Sequence, residues 1–563
     1  EALDWLVIGV FFLALIGIIV WVVRQKQNDS ADYFLGGRDA TWLAIGASIF
    51  ASNIGSEHLI GLAGAGASSG MAMAHWEIQG WMILILGWVF VPFYTRSMVY
   101  TMPEFLERRY NPQSRTILSV ISLVSYVLTK VAVTVYAGGL VFQQVFGIKE
   151  LWGIDFFWIA AIGLVVLTAL YTIFGGMKSV LYTSVLQTPI LLLGSLIILV
   201  LGFKELGGWD EMMRVCGAVT VNDYGDTMTN LIRSNDDANF PWLGALIGSA
   251  IIGFWYWCTD QFIVQRVLSG KNEMEARRGT IFGAYLKLLP VFLFLIPGMI
   301  AFALHQKYIG AGGEGFLPML ANGTANADAA FPTLVAKLLP AGVKGLVVCG
   351  ILAALMSSLA SLFNSSAMLF TIDFYKRFKP ETPEKKLVGI GQIATIVIVV
   401  LGILWIPIMR SVGDVLYTYL QDVQSVLAPG IAAAFLLGIC WKRTSAQGGM
   451  WGLISGMVIG LTRLGAKVYY SNAGEVADST FKYLFYDMNW LFFCGWMFLF
   501  CIIVVIVVSL ATEAPTAEKI QGLVFGTATK EQKAATRASW NHWDIIHTVI
   551  ILAITAAFYW YFW

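Results

Sequence analysis

The chain has 563 residues, of which 58% are hydrophobic and only 13% are charged, and its mean hydropathy is +0.72. No soluble protein of this length can bury so much apolar surface, so the composition predicts a membrane protein that crosses the lipid bilayer many times. The net charge of +1 provides no basic excess with which to bind nucleic acid, and we expect no nucleic-acid partner.

Fourteen apolar runs are each long enough to cross a hydrocarbon core of roughly 30 Å as a helix. The first run follows an acidic tip and precedes its positive charges, which is the reverse of a signal peptide and predicts a retained anchor. When the chain is threaded from an outside N-terminus, most of the 36 Lys and Arg residues fall inside, so both termini are predicted to lie outside. The runs are 3–23, 41–66, 72–95, 116–147, 156–174, 178–203, 243–264, 277–304, 344–375, 388–409, 412–440, 448–470, 489–511 and 543–562.

The spans that follow the anchor form two blocks of five, and each block opens with a span that carries a polar patch. An odd number of spans inverts the second block relative to the first, as in inverted-repeat transporters whose first helices are broken at mid-membrane. We therefore predict an all-α fold with a 5+5 inverted-repeat core. The predicted units are 1–40 (anchor and cytoplasmic linker), 41–204 (first repeat), 205–242 (outside loop), 243–440 (second repeat, with an outside loop at 305–343) and 441–563 (peripheral helices, with an inside linker at 512–542).

The first polar patch, "SNIGSEH" at 52–58, lies in the second span. A charge at bilayer depth costs at least about 2.5–3.5 kcal/mol on insertion scales, so it needs a partner or water. Close helix packing explains the small residues of this span, but it does not explain Glu57 and His58. The patch therefore predicts an unwound segment that binds a ligand or an ion.

The second patch, "MSSLASLFNSS" at 356–366, places three serine hydroxyls in the ninth span. Hard cations such as sodium take several oxygen ligands without needing a full carboxylate. A serine in a membrane helix also commonly bonds the carbonyl four residues before it. The residues alone leave both interpretations open.

Two pairs of opposite charges lie on different spans. Lys287 and Glu77 either neutralise one another or point into a polar cavity and bind a hydroxylated ligand. For Lys130 and Asp260 we favour a structural ion pair.

The third patch, "WYWCTDQFIVQR" at 255–266, places aromatic rings beside polar groups in the seventh span. Trp and Tyr are common in interfacial belts, but Trp255, Tyr256 and Trp257 are predicted to lie at mid-span. Rings beside polar groups suit a sugar, whose C–H face stacks while its hydroxyls form hydrogen bonds.

These motifs resemble the sodium/glucose cotransporter family, part of the sodium:solute symporters with the LeuT-type fold. The resemblance runs over roughly 30–465 and is strongest at "ASIFASNIGSEHLIGLAG", "WYWCTDQFIVQR", "AYLKLLP", "MSSLASLFNSS" and "APGIAAAFLLGICWKR". The sugar-transporting branch is favoured because His58, Glu77, Lys287 and Gln421 match together.

The resemblance implies a residue set for each part of the site. The implied sugar contacts are Asn53, His58, Glu77, Tyr256, Trp257, Lys287 and Gln421. The implied outer cover is Leu62, Trp76 and Tyr417. The implied Na+ ligands are the carbonyls of Ala51, Ile54 and Ala354 with the hydroxyls of Ser357 and Ser358, and Ser361 is the candidate for a second sodium.

Two positions depart from the family pattern. Ser184 stands where many relatives have an aspartate associated with a second sodium site or with ion exit, so we expect one sodium per sugar. Gly253 stands where relatives have a polar Asn or Thr that helps to hold the sugar, so we expect a roomier or differently selective pocket.

Together these features predict a sodium-coupled symporter of a neutral hexose of the glucose or galactose type, working by alternating access in a plasma membrane or bacterial inner membrane, with a monomer as the functional unit. The alternatives are a sugar-gated sensor or channel on the same fold and a symporter for another polyol such as myo-inositol. No catalytic triad, metal cluster or phosphate loop is visible, and we expect no enzyme.

Overall fold

The computed structural model describes residues 2–55, 57–320, 322–411, 416–472 and 477–563, with the backbone alone at 128, 408–411, 416–422 and 472. Helices dominate these residues. The two named strands among them, Glu150–Leu151 and Ile154–Asp155, form an antiparallel hairpin in which Glu150 lies opposite Asp155.

The α-helices follow one another with short connections. The first group is Ala2–Val23, Ser30–Leu35, Trp42–Asn53, Ala63–Ser68, Ala74–Glu77, Gly80–Ile85, Val91–Ser97, Met102–Arg109, Pro112–Ser125, Ala132–Phe146, Phe156–Leu206, Trp209–Gly217, Trp242–Phe254 and Gln261–Leu268. The second group is Glu273–Leu286, Ile296–Gly310, Ala330–Leu338, Val343–Met368, Lys376–Phe378, Glu384–Ser411, Leu416–Cys440, Ala446–Asn472, Thr480–Lys482, Trp490–Ala511, Ala517–Ile520, Lys530–Ala538 and His542–Tyr561.

Many of these helices are joined by π-helical or 3-10 turns, which are common at functional sites. The π-helical turns are Glu57–Leu62, Leu86–Phe90, Tyr126–Val131, Trp255–Thr259, Val291–Leu295, Leu369–Tyr375 and Tyr483–Asp487, and the 3-10 turns are Gly36–Arg38, Gly70–Met73 and Ala327–Ala329.

Eleven helical segments of the described chain are long and apolar enough to cross a membrane. They are Ala2–Val23, Gly70–Ser97, Pro112–Phe146, Phe156–Leu206, Trp242–Thr259, Glu273–Gly310, Val343–Phe378, Glu384–Pro407, Val423–Cys440, Trp490–Ala511 and His542–Tyr561. The predicted all-α, multi-span class is therefore confirmed, whereas the count of fourteen and the domain boundaries stay predictions.

The difference in count arises at three places. The predicted spans 156–174 and 178–203 fall in one helical segment, Phe156–Leu206, whose only interruption is Gly176 at φ +56°. The predicted span 41–66 is divided into shorter helices by a break. The predicted span 448–470 is helical but is not one of the eleven.

Three elements surround the centre of the molecule, and we name them by residue. The first broken helix is 42–68, the second broken helix is 242–268, and the serine helix is Val343–Met368. Burial distinguishes core from periphery, since 89% of the most apolar window of Val343–Phe378 is buried against 22% for Ala2–Val23 and for His542–Tyr561. The latter two therefore have the burial expected of helices that face lipid.

Candidate binding site

The first broken helix loses its helical backbone at the polar patch. Its first half ends at Asn53, Ile54 follows with an extended φ of −77° and ψ of 110°, and helical structure resumes in the π-helical turn Glu57–Leu62. Gly55 suits this break because a Cβ atom there would lie only 3.1 Å from the hydroxyl oxygen of Ser358. The last carbonyls of a helix that ends in mid-span lack intrahelical partners and can bind a cation. The predicted interruption is confirmed.

The second broken helix is interrupted at a residue with nearly the same backbone conformation. The π-helical turn Trp255–Thr259 leads into Asp260, which has φ −77° and ψ 128°, and the second half is Gln261–Leu268. The carboxylate of Asp260 accepts the N–H of Phe262 at 3.4 Å and so caps this second half. The 5+5 repeat that would relate the two breaks stays a prediction.

A polar cavity lies between the two broken helices. Its volume is about 100 Å³, counted as the space open to the centres of water molecules. One water needs roughly 10–15 Å³ on this scale, so the cavity holds a small polar solute. The predicted solute and cover residues that line it are Asn53, His58, Leu62, Trp76, Glu77, Tyr256, Trp257 and Lys287.

A continuous hydrogen-bond network joins five of these side chains. Lys287 donates from Nζ to Oε2 of Glu77 at 2.6 Å and to Oδ1 of Asn53 at 3.0 Å. His58 lies with Nε2 at 3.1 Å from the same Glu77 oxygen, so Nε2 carries a proton and donates. Asn53 donates from Nδ2 to the hydroxyl of Tyr256 at 3.1 Å. Both halves of the predicted alternative hold, because Lys287 and Glu77 pair and also face a cavity.

The network retains unused hydrogen-bonding capacity. Nδ1 of His58 is buried without a partner among the described residues. Since a buried polar group without a partner costs roughly 1–3 kcal/mol, such a position favours a polar ligand or water.

Aromatic rings form one wall of the cavity. The rings of Tyr256 and Trp257 meet edge to face with centroids 4.9 Å apart. The ammonium of Lys287 lies 5.3 Å from the Trp257 ring, a cation–π distance. This wall offers an apolar face beside the polar network.

Two of the three predicted cover residues, Leu62 and Trp76, line the cavity. Trp76 stacks on Trp490 with centroids 5.5 Å apart and meets the edge of Phe240 at 6.0 Å. These contacts tie the cover to the outside loop and to a peripheral helix.

Tyr417 and Gln421 lie outside the residues whose side chains are described. Both fall on the backbone of helix Leu416–Cys440. Their predicted roles in the cover and in solute contact stay predictions.

The predicted outside loop 205–242 packs over the segment that precedes the cover. The N–H of Met71 donates to the carbonyl of Met228 at 2.8 Å, and Nε2 of His75 donates to the carbonyl of Leu231 at 3.1 Å. Loop and cover are therefore joined by hydrogen bonds.

One carboxylate stabilises this loop. Asp237 is buried, which raises its pKa, but it accepts N–H groups of Phe240 at 2.7 Å and Asn239 at 2.9 Å and the amide of Asn222 at 2.7 Å. These hydrogen bonds prevail, so the pKa of Asp237 lies below its ordinary value.

The predicted sodium ligands lie where the first broken helix meets the serine helix. Ala51, Ile54 and Ala354 are fully or almost fully buried, as are Ser357 and Ser358. Ser358 also lines the cavity, and the hydroxyl of Ser357 is buried without a partner among the described residues. A hydroxyl in that state is suited to a cation, which would supply its missing interaction.

The candidate second sodium position is internally paired. The hydroxyl oxygens of Ser361 and Ser52 lie 2.6 Å apart and link the serine helix to the first broken helix. Ser184 donates its hydroxyl to the carbonyl of Val180 at 2.7 Å, as serine does in helices.

Lys130 and Asp260 form the ion pair that we favoured, with Nζ 2.7 Å from Oδ2. The Lys130 ammonium lies about 5 Å from the centroids of four rings, and Asp260 also accepts the hydroxyl of Tyr126. The rings are Tyr126, Trp255, Tyr256 and Phe262, at 4.9, 5.3, 5.1 and 5.0 Å.

The cavity also contains residues to which sequence reasoning gave no role. Gln79 lies two positions after Glu77, and Gln424 lies three positions after Gln421, one helical turn along the same helix. Their uncharged side chains carry a weak signal, although two polar residues one turn apart in a span are a usable one. The other such residues include Met73, Ile252, Phe262 and Leu362.

Comparison with known proteins identifies the family. The model of the sodium:solute symporter family matches residues 33–456. Sodium/myo-inositol cotransporter 2 of Homo sapiens is 36% identical over 538 residues, which cover 93% of this chain and 79% of that protein. Sodium/glucose cotransporter 4 of Danio rerio is 36% identical over 536 residues, covering 92% and 80%.

A solved structure shows the same fold. The substrate-bound, outward-open state of a Na+-coupled sialic acid symporter superposes with a TM-score of 0.72 at 22% identity, covering 91% of this chain and 99% of that one. This match confirms the predicted fold class. The chain belongs to the sodium:solute symporter family and is a multi-pass membrane protein that couples transport of a solute to Na+.

Proposed function

We propose that this symporter carries a neutral hexose of the glucose or galactose type together with one sodium ion, by alternating access. The observation that carries this proposal is the network of Lys287, Glu77, His58 and Asn53 lining a cavity beside the break in the first broken helix. The network offers donors and acceptors together, which is what a ring of hydroxyls needs.

The charges that line the cavity favour a neutral solute. Its lysines are Lys130 and Lys287, its carboxylates are Glu57 and Glu77, and Lys130 is also paired with Asp260. An anionic solute would find no lysine without a carboxylate partner. The Tyr256 and Trp257 rings add a wall against which the C–H face of a sugar can pack.

The break provides the physical link between ion and solute. Asn53, which belongs to the solute network, lies between Ser52, which contacts the serine helix, and Ile54, a proposed sodium ligand. Sodium bound there would hold the broken helix against the serine helix and so fix Asn53 for the solute. Each ligand then favours the conformation that binds the other.

One sodium supplies enough free energy for accumulation. At about 100 mV and a roughly tenfold sodium gradient, one ion supplies about 3.7 kcal/mol, which can concentrate a neutral solute about 500-fold. The intrahelical hydrogen bond of Ser184 and the Ser52–Ser361 pair support a stoichiometry of one.

A second candidate solute is myo-inositol, a neutral cyclic polyol. It is favoured by the similarity to sodium/myo-inositol cotransporter 2, and the same network suits it. A sugar-gated sensor on this fold is the alternative that binds solute without accumulating it.

We further propose that both termini lie outside, in a plasma membrane or bacterial inner membrane, and that the monomer is the functional unit. The positive-inside bias supports the orientation. A cavity lined by one chain supports the monomer. The family is one of transporters, and we expect no enzymatic activity.

Uptake into proteoliposomes tests the proposal. We expect labelled D-glucose to accumulate above its external concentration under an inward sodium gradient, with labelled myo-inositol measured in parallel. Accumulation of myo-inositol alone would support the second candidate. Uptake that ignores the sodium gradient for both solutes would refute sodium-coupled transport of a neutral polyol.

A further inference from the structure

Gly253 on the second broken helix faces the cavity, but the space beside it is not empty. A Cβ atom at this position would lie 2.7 Å from Oε1, 2.9 Å from Cδ and 2.9 Å from Nε2 of Gln79. Contacts under 3.0 Å are essentially never made by real Cβ atoms. The glycine therefore leaves room for the amide of Gln79, and the expectation of a roomier pocket is replaced by a different polar lining.

The amide of Gln79 is held by two partners of opposite kind. Its Nε2 donates to the carbonyl of Ser249 at 2.8 Å, and its Oε1 accepts the indole N–H of Trp257 at 3.3 Å. Because a carbonyl can only accept and an indole N–H can only donate, both partners require the same orientation of the amide. Gln79 is 3% exposed and lines the cavity.

Half of the hydrogen-bonding capacity of this amide remains available. A primary amide has two N–H donors and two lone pairs on its oxygen. Ser249 and Trp257 use one of each, and no other side chain described in the structure contacts them. A hydroxyl is the group that can accept from the remaining N–H or donate to the remaining lone pair.

We propose that Gln79 determines solute specificity by binding one hydroxyl of the solute, and that Gly253 determines where the amide lies. This inference rests on the proposed function, because it requires a polyhydroxylated solute in the cavity. Gln79 links that solute to Trp257, so the amide both binds the hydroxyl and holds the indole in place.

The test is competition binding to the purified full-length protein in sodium. Labelled D-glucose and labelled myo-inositol are the probes, and the competitors are D-glucose, D-galactose and the 2-, 3-, 4- and 6-deoxy forms of D-glucose. For Gln79→Ala we expect about a 5- to 10-fold loss of affinity, the range of one neutral hydrogen bond. The discrimination against one deoxy form should disappear while the other ratios stay unchanged.

Coupling between the two positions sharpens the test. Gly253→Ala should displace the amide and reproduce the loss seen in Gln79→Ala, but it should add little in a Gln79→Ala background. Gly163→Ala is the matched control, since a Cβ there meets nothing within 4 Å, and it should change no ratio. Additive losses at the two positions would contradict the proposed displacement.

The remaining outcomes separate the two levels of inference. An equal loss for every competitor, or no change in any ratio, would overturn the role of Gln79 while leaving the proposed function in place. If native protein binds none of the panel, the proposed function falls and this inference with it. Should Gln79→Ala lose its sodium-dependent gain in melting temperature, Gln79→Met, which fills the same space without hydrogen bonds, decides in its place.

Discussion

Two buried lysine–carboxylate pairs of nearly equal length stand in different surroundings. Lys287 and Glu77 are 2.6 Å apart, and both also contact cavity residues with exchangeable hydrogen bonds. Lys130 and Asp260 are 2.7 Å apart, but that lysine is ringed by aromatic side chains and that carboxylate caps a helix.

The contrast shows that an intramembrane charge pair can serve two purposes. A pair whose other contacts are hydroxyl and amide groups can exchange them for those of a solute at little cost, since the new hydrogen bonds replace old ones. A pair enclosed by rings has no such substitute, and its loss leaves one charge buried and unpaired. We therefore assign solute binding to the first pair and stability of the second broken helix to the second.

The largest effect is expected from Asp260→Asn. Asparagine can still cap the helix, but Lys130 loses its anionic partner, which costs about 3–5 kcal/mol of stability. The melting temperature of the purified protein should fall sharply. The double variant Lys130→Met with Asp260→Asn should recover most of it, and an Asp260→Asn protein as stable as native would break the comparison.

Glu77→Gln should act on binding instead. Losing a charged hydrogen-bond acceptor costs about 1.5–3 kcal/mol, so we expect solute affinity to fall roughly 10- to 150-fold with a smaller change in melting temperature than for Asp260→Asn. Titration calorimetry with D-glucose in sodium measures the loss. Glu211→Gln, at the exposed Glu211–Arg214 pair, is the control and should leave affinity unaltered.

Ser358→Ala should separate the ion from the solute at the cavity pair. Loss of one neutral oxygen ligand, worth about 1 kcal/mol, should raise the sodium concentration for half-maximal solute binding roughly 5-fold while affinity at saturating sodium changes little. Ser455→Ala on the peripheral helix Ala446–Asn472 is the matched control. Unchanged sodium dependence would exclude Ser358 as a ligand.

The smallest effect is expected outside the membrane, at Asp237. Because its folded pKa is depressed, its stabilising contribution is present above the ordinary aspartate pKa of about 3.9 and is lost as the pH falls through the folded value. Asp237→Asn should cost about 1 kcal/mol or less near pH 7. Melting curves from pH 7 to pH 3 measure this, and a native protein that gains stability on acidification relative to Asp237→Asn would contradict the sign.

Much of the site was predictable because charge in a membrane is costly. Glu57, His58, Lys287 and Glu77 stand out in apolar runs for that reason, and glycine beside them predicts the break. The choice between a neutralising pair and a cavity-facing pair was not predictable, since it depends on how spans 210 positions apart meet.

Other features could not be read from the sequence. Gln79 has no charge to mark it, and the space that it fills is defined by Gly253 on another helix. The contact between Ser52 and Ser361 joins residues 309 positions apart. The number of membrane-crossing helices was uncertain because hydropathy alone does not say whether a glycine such as Gly176 ends a helix or interrupts it.

The central claim is that sodium and solute bind as neighbours on one interrupted helix, and reciprocal binding tests it most directly. The dissociation constant of D-glucose is measured by calorimetry at zero and saturating sodium, and that of sodium is measured with and without D-glucose. Linkage requires each ligand to improve the affinity of the other by the same factor, and we predict a factor well above one. A D-glucose affinity that is the same with and without sodium would contradict the account.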